Sequence, residues 1–175
     1  MNDINASEVE HWLDTLEASL RQQLGDQLPR CAMVGIRTGG VAIARELHQR
    51  LQLRLPLGEL NISFYRDDFS RIGMHPVVGA SELPFQVEDQ IIILVDDVLF
   101  SGRTIRAAMN ELFDFGRPQR IVLAVLVDRQ GRQLPIQADA LGHSVTLPSN
   151  TNIKLDTDTM TCSISSCPSQ PPTGS

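Results

Sequence analysis

An α/β fold with a central, mostly parallel sheet flanked by helices is what the sequence predicts, and three observations carry it. Residues 31–36 (CAMVGI), 91–95 (IIILV) and 121–127 (IVLAVLV) are apolar throughout, as strands buried on both faces of a parallel sheet are. The first two are each followed by a glycine-containing turn and a stretch of helical period. Strand and helix therefore alternate along the chain, the pattern of βα units.

The elements follow in order. Ser7 and Glu10 have the spacing of a capping box and precede Val9, Trp12, Leu13, Leu16, Leu20 and Leu24 at i, i+3, i+4 spacing, which predicts an amphipathic first helix. Pro29 ends it and the strand at 31–36 begins. After the loop Arg37, Thr38, Gly39, Gly40, the residues Val41, Ile43, Ala44, Leu47 and Leu51 return to helical period. Leu60, Ile62 and Phe64 alternate with Asn61 and Ser63, the sign of a strand with one buried face. From 66 to 90 the chain is charged, carries Gly73, Pro76, Gly79 and Pro84, and lacks periodicity, so a mobile loop, or a hairpin, is expected. The strand at 91–95 leads to a helix over 102–115, ended by Gly116 and Pro118, and then to the strand at 121–127. A polar loop is expected over 129–143, with short strands at 144–147 and 153–155. Residues 156–175, rich in Thr, Ser and Pro, predict a frayed tail.

At 175 residues the chain suits one domain, here 1–155, with 156–175 as its tail. A composition of 42% hydrophobic and 21% charged residues is that of a globular protein. The net charge of -6 excludes a surface given over entirely to nucleic acid, while leaving room for a local basic patch. Cys31, Cys162 and Cys167 lack metal-ligand spacing. The first twelve residues resemble no signal peptide, and no apolar run approaches the roughly 18 residues of a membrane span. A cytoplasmic protein with no membrane partner is the expectation.

The segment 91–104, IIILVDDVLFSGRT, carries the chemistry. An apolar strand ends in Asp96 and Asp97, and after Val98, Leu99 and Phe100 the residues Ser101, Gly102, Arg103 and Thr104 open a helix. A helix N-terminus offers unpaired N–H groups and the positive end of its dipole, Gly102 permits close backbone approach, and two hydroxyls add donors, so a phosphate monoester fits there. The paired carboxylates would repel that phosphate unless ribose hydroxyls, or a metal those hydroxyls also ligate, face them. Taken singly, the acids and the Ser/Thr pair are also the solubilising groups and caps of any open α/β sheet. The loop 37–40 is likewise either an anion cradle or a plain βα turn.

VDDVLFSGRT resembles the ribose-5-phosphate signature of type I phosphoribosyltransferases. With VGIRTGGVAIARELHQRL, ISFYRDDFS and VLVDRQGRQLPIQADALG, in that order, the chain resembles the PyrR family of bifunctional uracil phosphoribosyltransferases and pyrimidine-operon regulators over roughly residues 8 to 155. The resemblance implies the type I phosphoribosyltransferase fold, with a flexible loop and a small hood. It implies formation of UMP and pyrophosphate from uracil and 5-phosphoribosyl-1-pyrophosphate (PRPP), with Mg2+ bound alongside the donor. Asp96 and Asp97 would face the ribose and act on the metal indirectly through its hydroxyls. Ser101 to Thr104 would anchor the 5-phosphate, with Val98, Leu99 and Phe100 completing the PRPP-binding segment, Thr38 and Gly39 would hold the pyrophosphate, and Arg66 would close on the leaving group from the loop. Without the resemblance, Asp67 and Asp68 beside Arg66 are an exposed turn. Phe100, Asp128 and Arg129 are assigned to the nucleobase pocket. Purine enzymes of this class place an acid at the position of Phe100, and a ring cannot move a proton, which argues for a pyrimidine, although an apolar residue filling a loop would look the same.

The chain departs from the family at two places. Many relatives carry Arg where this chain has Gly39, and the RNA-binding relatives carry basic residues where it has Gly131, Gln137 and His143, although Arg132 is kept. Fewer cations weaken phosphate contacts, so the enzyme is the favoured reading. A UMP-sensing regulator that binds pyrimidine leader messenger RNA with little turnover is the alternative. The apolar Trp12 helix and the family likeness point to a homodimer or higher oligomer.

Overall fold

The computed structural model describes residues 3–62 and 80–167. Asn5 and Glu8, rather than Ser7 and Glu10, form the capping box of α1 (Ala6–Leu24): Glu8 N–H donates to Asn5 Oδ1 at 3.0 Å and Asn5 N–H to Glu8 Oε2 at 3.1 Å. The helix thus starts one residue ahead of Ser7, because Asn at N-cap with Glu at N3 satisfies two orphan amides at once. Val9, Trp12, Leu13, Leu16, Leu20 and Leu24 are all buried, as their spacing predicts. Trp12 is only 7% exposed and stacks on His143, ring centroids 4.5 Å apart, so its apolar surface is spent inside the subunit and gives no argument for a dimer.

Strands β1 (Ala32–Ile36), β2 (Gly58–Leu60), β3 (Ile91–Leu99), β4 (Arg120–Arg129) and β5 (Ala140–Val145) form one parallel sheet in the order β2-β1-β3-β4-β5. Its two faces explain why the inner strands are apolar rather than alternating. Met33, Ile93, Val95, Val122, Ala124 and Leu126 pack under α1 and α2 (Gly39–Leu51), whereas Val34, Ile92, Leu94, Leu123 and Val125 pack under α3 (Arg103–Phe115). Each fully buried aliphatic side chain contributes about 1.5–3 kcal/mol, so neither face can be left in water. The strand order reverses between β1 and β3, and α2 and α3 leave on opposite faces there, opening a crevice at the C-terminal ends of these strands.

Several boundaries differ from those expected. β3 runs beyond Val95 to Leu99 because its register with β4 continues through Asp96↔Val125, Val98↔Val127 and Leu99↔Asp128. β5 starts at Ala140 instead of 144, since the Asp139 carboxylate accepts Leu123 N–H at 2.8 Å and delivers the next residue to the sheet edge. β2 covers 58–60, overlapping the expected strand at Leu60, while Ser63 and Phe64 lie outside the described residues. Within the expected loop, residues 80–90 are tied to the sheet: Glu82 exchanges both backbone bonds with Glu59 at 2.8 Å, and Val87 is buried.

The expected tail is partly ordered. β6 (Thr151–Asp156) pairs antiparallel with β7 (Thr161–Ser166), and Ile4 bridges to Cys162, which is buried with Ile153 and Leu155. Burial of these three residues supplies the driving force that composition alone hid. This ribbon is the small hood.

Candidate functional site

The crevice is built from the ends of β1, β3 and β4. Asp96 is 5% exposed and its Oδ1 accepts Asp97 N–H at 2.9 Å; Asp97 Oδ1 in turn accepts Val98 N–H at 2.9 Å. The two carboxylates are therefore pinned to the strand end by its own backbone. Asp97 also faces the hood: the Cys162 thiol is pushed up to about 11, first by burial and then by the negative charge of Asp97.

Across the crevice stands the loop before α2. The Arg37–Thr38 peptide bond is cis, and Thr38 caps α2 without a side-chain hydrogen bond. No acid lies in the first turn, so the leading amides of α2 are open to an anion. A Cβ on Gly39 would stand 2.1 Å from Asp97 Oδ2, and one on Gly40 would stand 2.6 Å from the carbonyl oxygen of Val95. Only glycine lets this loop touch β3 so closely. Arg37 Nε donates to Glu59 at 2.9 Å, and Arg45 reaches the other oxygen of that carboxylate at 3.2 Å. With Thr38, Val41, Ala42, Thr157 and Asp158 they line a pocket of about 310 Å3 between α2 and the hood turn.

The start of α3 forms the third wall. Gly102 sits at φ 93, a left-handed conformation that a side chain would strain, and again there is no acid in the first turn. Ser101 Oγ accepts Arg103 N–H at 3.2 Å, and the Ser101 carbonyl accepts the amides of Gln133 and Leu134 at 2.9 and 3.1 Å. Arg103 Nε donates to Gln133 Oε1 at 2.9 Å, so the loop after β4 is laced to the helix start. Thr104 is half-buried in the first turn, Val98 is half-buried and Leu99 buried.

Phe100, Asp128 and Arg129 lie together at the ends of β3 and β4. Asp128 is engaged, both of its oxygens accepting from Arg132 Nη2 at 2.9 Å. Arg129 places its guanidinium 4.1 Å from the centroid of the Phe100 ring. Arg66 lies outside the described residues. Sequence reasoning missed Glu59, Arg132 and Asn152 as parts of the site. The Asp128-x-x-x-Arg132 spacing was the one signal for the second; Asn152 had none, since only the fold brings it within hydrogen-bond reach of Arg129.

Among the described residues no group of three or more His, Cys, Asp or Glu side chains is placed to hold a metal ion. The adjacent pair Asp96 and Asp97 offers fewer ligands than an all-protein cage, a pattern that fits a Mg2+ ion brought in by substrate phosphates. No helix among the described residues is long and apolar enough to cross a membrane.

Residues 5–154 match the family model of the phosphoribosyl transferase domain. The bifunctional protein PyrR of Nitrosococcus oceani is 55% identical over 143 residues, covering 80% of this chain and 81% of that one. PyrR of Pseudomonas putida is also 55% identical, over 122 residues, covering 70% and 71%. Among solved structures, a hypoxanthine phosphoribosyltransferase from Staphylococcus aureus superposes with a TM-score of 0.64 at 18% identity, covering 85% of this chain and 78% of that one. A purine phosphoribosyltransferase from Pyrococcus horikoshii gives 0.56 at 20%, covering 80% and 82%. At such identities the structures speak for the fold alone.

Proposed function

Because the chain belongs to the phosphoribosyl transferase family and, within it, to the PyrR group, we propose that this phosphoribosyltransferase uses uracil, converting uracil and PRPP to UMP and pyrophosphate. The observation that carries the proposal is the juxtaposition at one crevice of a pinned acid pair, Asp96 and Asp97, with two helix N-termini that hold no acid in their first turns. One N-terminus suits the 5-phosphate and the other the pyrophosphate, and the acids between them suit the ribose.

In this reading N1 of uracil displaces pyrophosphate from C1 of the donor. Positive charge develops on the sugar ring, and the carboxylates of Asp96 and Asp97 stabilise it while holding the 2- and 3-hydroxyls. Ser101 to Thr104 anchor the 5-phosphate through backbone amides and the Thr104 hydroxyl. Thr38 and Gly39 receive the pyrophosphate, and Arg66 is assigned to closing over it. Asp96 and Asp97, by orienting the ribose hydroxyls, would hold a Mg2+ ion indirectly, and such an ion would supply charge neutralisation for the leaving pyrophosphate. Phe100 and Arg129 wall the base; Asp128, being tied to Arg132, shapes the pocket through that pair. No covalent nucleophile is required, so the protein acts by positioning and charge.

The name bifunctional borne by the relatives supports keeping RNA binding as a second activity. Two positions that carry cations in RNA-binding relatives are otherwise used here: the edge of the Phe100 ring fills the space beside Gly131, and His143 stacks on Trp12. We therefore place catalysis first, in a cytoplasmic homo-oligomer. The test is UMP formation from uracil and PRPP with Mg2+, with hypoxanthine and orotate as controls. Uracil-specific turnover is expected. Tight UMP binding without turnover, together with salt-sensitive binding of leader RNA, would favour the regulator instead.

A further inference from the structure

Arg129 is 4% exposed, a full positive charge largely withdrawn from water. Such a charge is normally met by a carboxylate, yet the adjacent one, Asp128, is held by Arg132. Arg129 is instead held by neutral acceptors. Its Nη1 donates to Asn152 Oδ1 at 3.1 Å and its Nη2 to the Pro148 carbonyl at 3.2 Å, while Nε is buried with no hydrogen-bond partner among the described residues. Asn152 belongs to the hood ribbon and Pro148 to the turn that leads into it.

The guanidinium so held lies over the Phe100 ring, and the Cδ2–Cε2–Cζ edge of that ring rests on Gly131, where a Cβ would come within 2.2 Å of Cε2. Gly131, at φ 143, is in a conformation that side chains avoid. Phe100 is 40% exposed despite these contacts, so its angle to the crevice depends on the guanidinium of Arg129 and the close approach of Gly131. Asn152 is itself oriented: its amide nitrogen donates to Cys167 Sγ at 2.9 Å, which points its oxygen at Arg129.

We infer that Asn152, on the hood and away from the β3 motif, is a positioning residue for the nucleobase: it aims Arg129, Arg129 fixes the Phe100 ring, and the ring sets affinity for the base but not for the donor. This rests on the assignment of Phe100 and Arg129 to the nucleobase pocket. The chemistry is a relay of orientation, with no proton moved.

The experiment measures kcat, KM for uracil, KM for PRPP and the thermal midpoint for N152A, N152D, F100L and the F100L/N152A double variant. Loss of one hydrogen bond to a charged group predicts that N152A raises KM for uracil by about 10-fold. KM for PRPP should stay within about twofold, since no donor contact passes through this residue. N152D keeps the acceptor and should restore KM for uracil. In the F100L background N152A should have little further effect, because the ring it aims is gone. Equal rises in both KM values, or full additivity in the double variant, would overturn the inference, since either outcome describes a merely structural asparagine. Should N152A not fold, C167A frees the Asn152 amide and predicts a smaller rise in KM for uracil; an unchanged value there overturns the inference as well. A wild-type protein without uracil turnover would remove the pocket assignment itself and the inference with it, a result distinct from normal turnover with an indifferent Asn152.

Discussion

Two adjacent glycines, Gly39 and Gly40, separate what the site needs from what the fold needs. A methyl group on Gly40 would stand 2.6 Å from the Val95 carbonyl oxygen and 3.1 Å from Asp96 Cα, whereas ordinary contact begins at 3.4 Å. Both neighbours are backbone of β3, so helix and strand must part by about 0.8 Å, and overpacking of this kind costs about 1–3 kcal/mol. The better helix propensity of alanine offsets up to ~1 kcal/mol of that. For a chain of this size G40A should lower the thermal midpoint by about 3–6 °C. Misplacement of a site wall by nearly 1 Å should cut kcat/KM by roughly 10- to 100-fold. At Gly39 the obstacles are Asp97 Oδ2 at 2.1 Å and Cγ at 2.4 Å, which can rotate away. G39A should therefore stay within about 2 °C of the parent, yet lose activity by about 10-fold as the Asp97 carboxylate leaves Val98 N–H. Differential scanning fluorimetry and steady-state kinetics with saturating uracil read both quantities. A stable, active G40A would mean that α2 does not rest on β3, and a G39A with unchanged activity would refute the placement of Asp97 against the loop.

Three further outcomes follow from the same geometry. The double variant D96N/D97N should keep the thermal midpoint within a few degrees and lose kcat/KM by at least about 100-fold, because it removes charge from where the sugar becomes cationic; near-normal rates would take both acids out of the reaction. T104A should raise KM for PRPP several-fold more than KM for uracil, and equal effects would contradict the phosphate assignment at the start of α3. The Cys162 thiol, normally at 9.0 and here pushed up to about 11, stays protonated in the folded chain while the unfolded chain ionises. Its contribution to stability is complete below pH 9 and is lost as pH rises from about 9 to 11, by up to ~2.7 kcal/mol. Urea midpoints at pH 8 and pH 10.5 should show the fall, and C162A should show less of it; an identical fall in C162A would assign the titration elsewhere.

How much of this was legible in the sequence depends on where the information is stored. The acid pair and the Ser101–Thr104 helix start were legible because strand, turn and helix are contiguous, so spacing along the chain is spacing in the fold. The buried strands were legible for the same reason: a run such as 91–95 has no polar face to show. β7 was not, because Thr161, Ser163, Ser165 and Ser166 dilute the two residues that face inward, Cys162 and Ile164. Its stability comes from pairing with β6 and from the bridge to Ile4, some 158 positions away, which no local pattern records. Asn152 was hidden by the same distance. Its meaning lies in Arg129, 23 positions earlier, and in Cys167, 15 later. Phe100 falls between these cases. Its place four residues after Asp96 was visible, and so was the oddity of Gly131, but that one explains the other was not: the glycine stands where it does because the ring leaves no room for a Cβ. A side chain at 131 would have to displace that ring. On the proposed assignment of Phe100 to the nucleobase pocket, any side chain gained at 131 therefore comes at the cost of the setting of that ring.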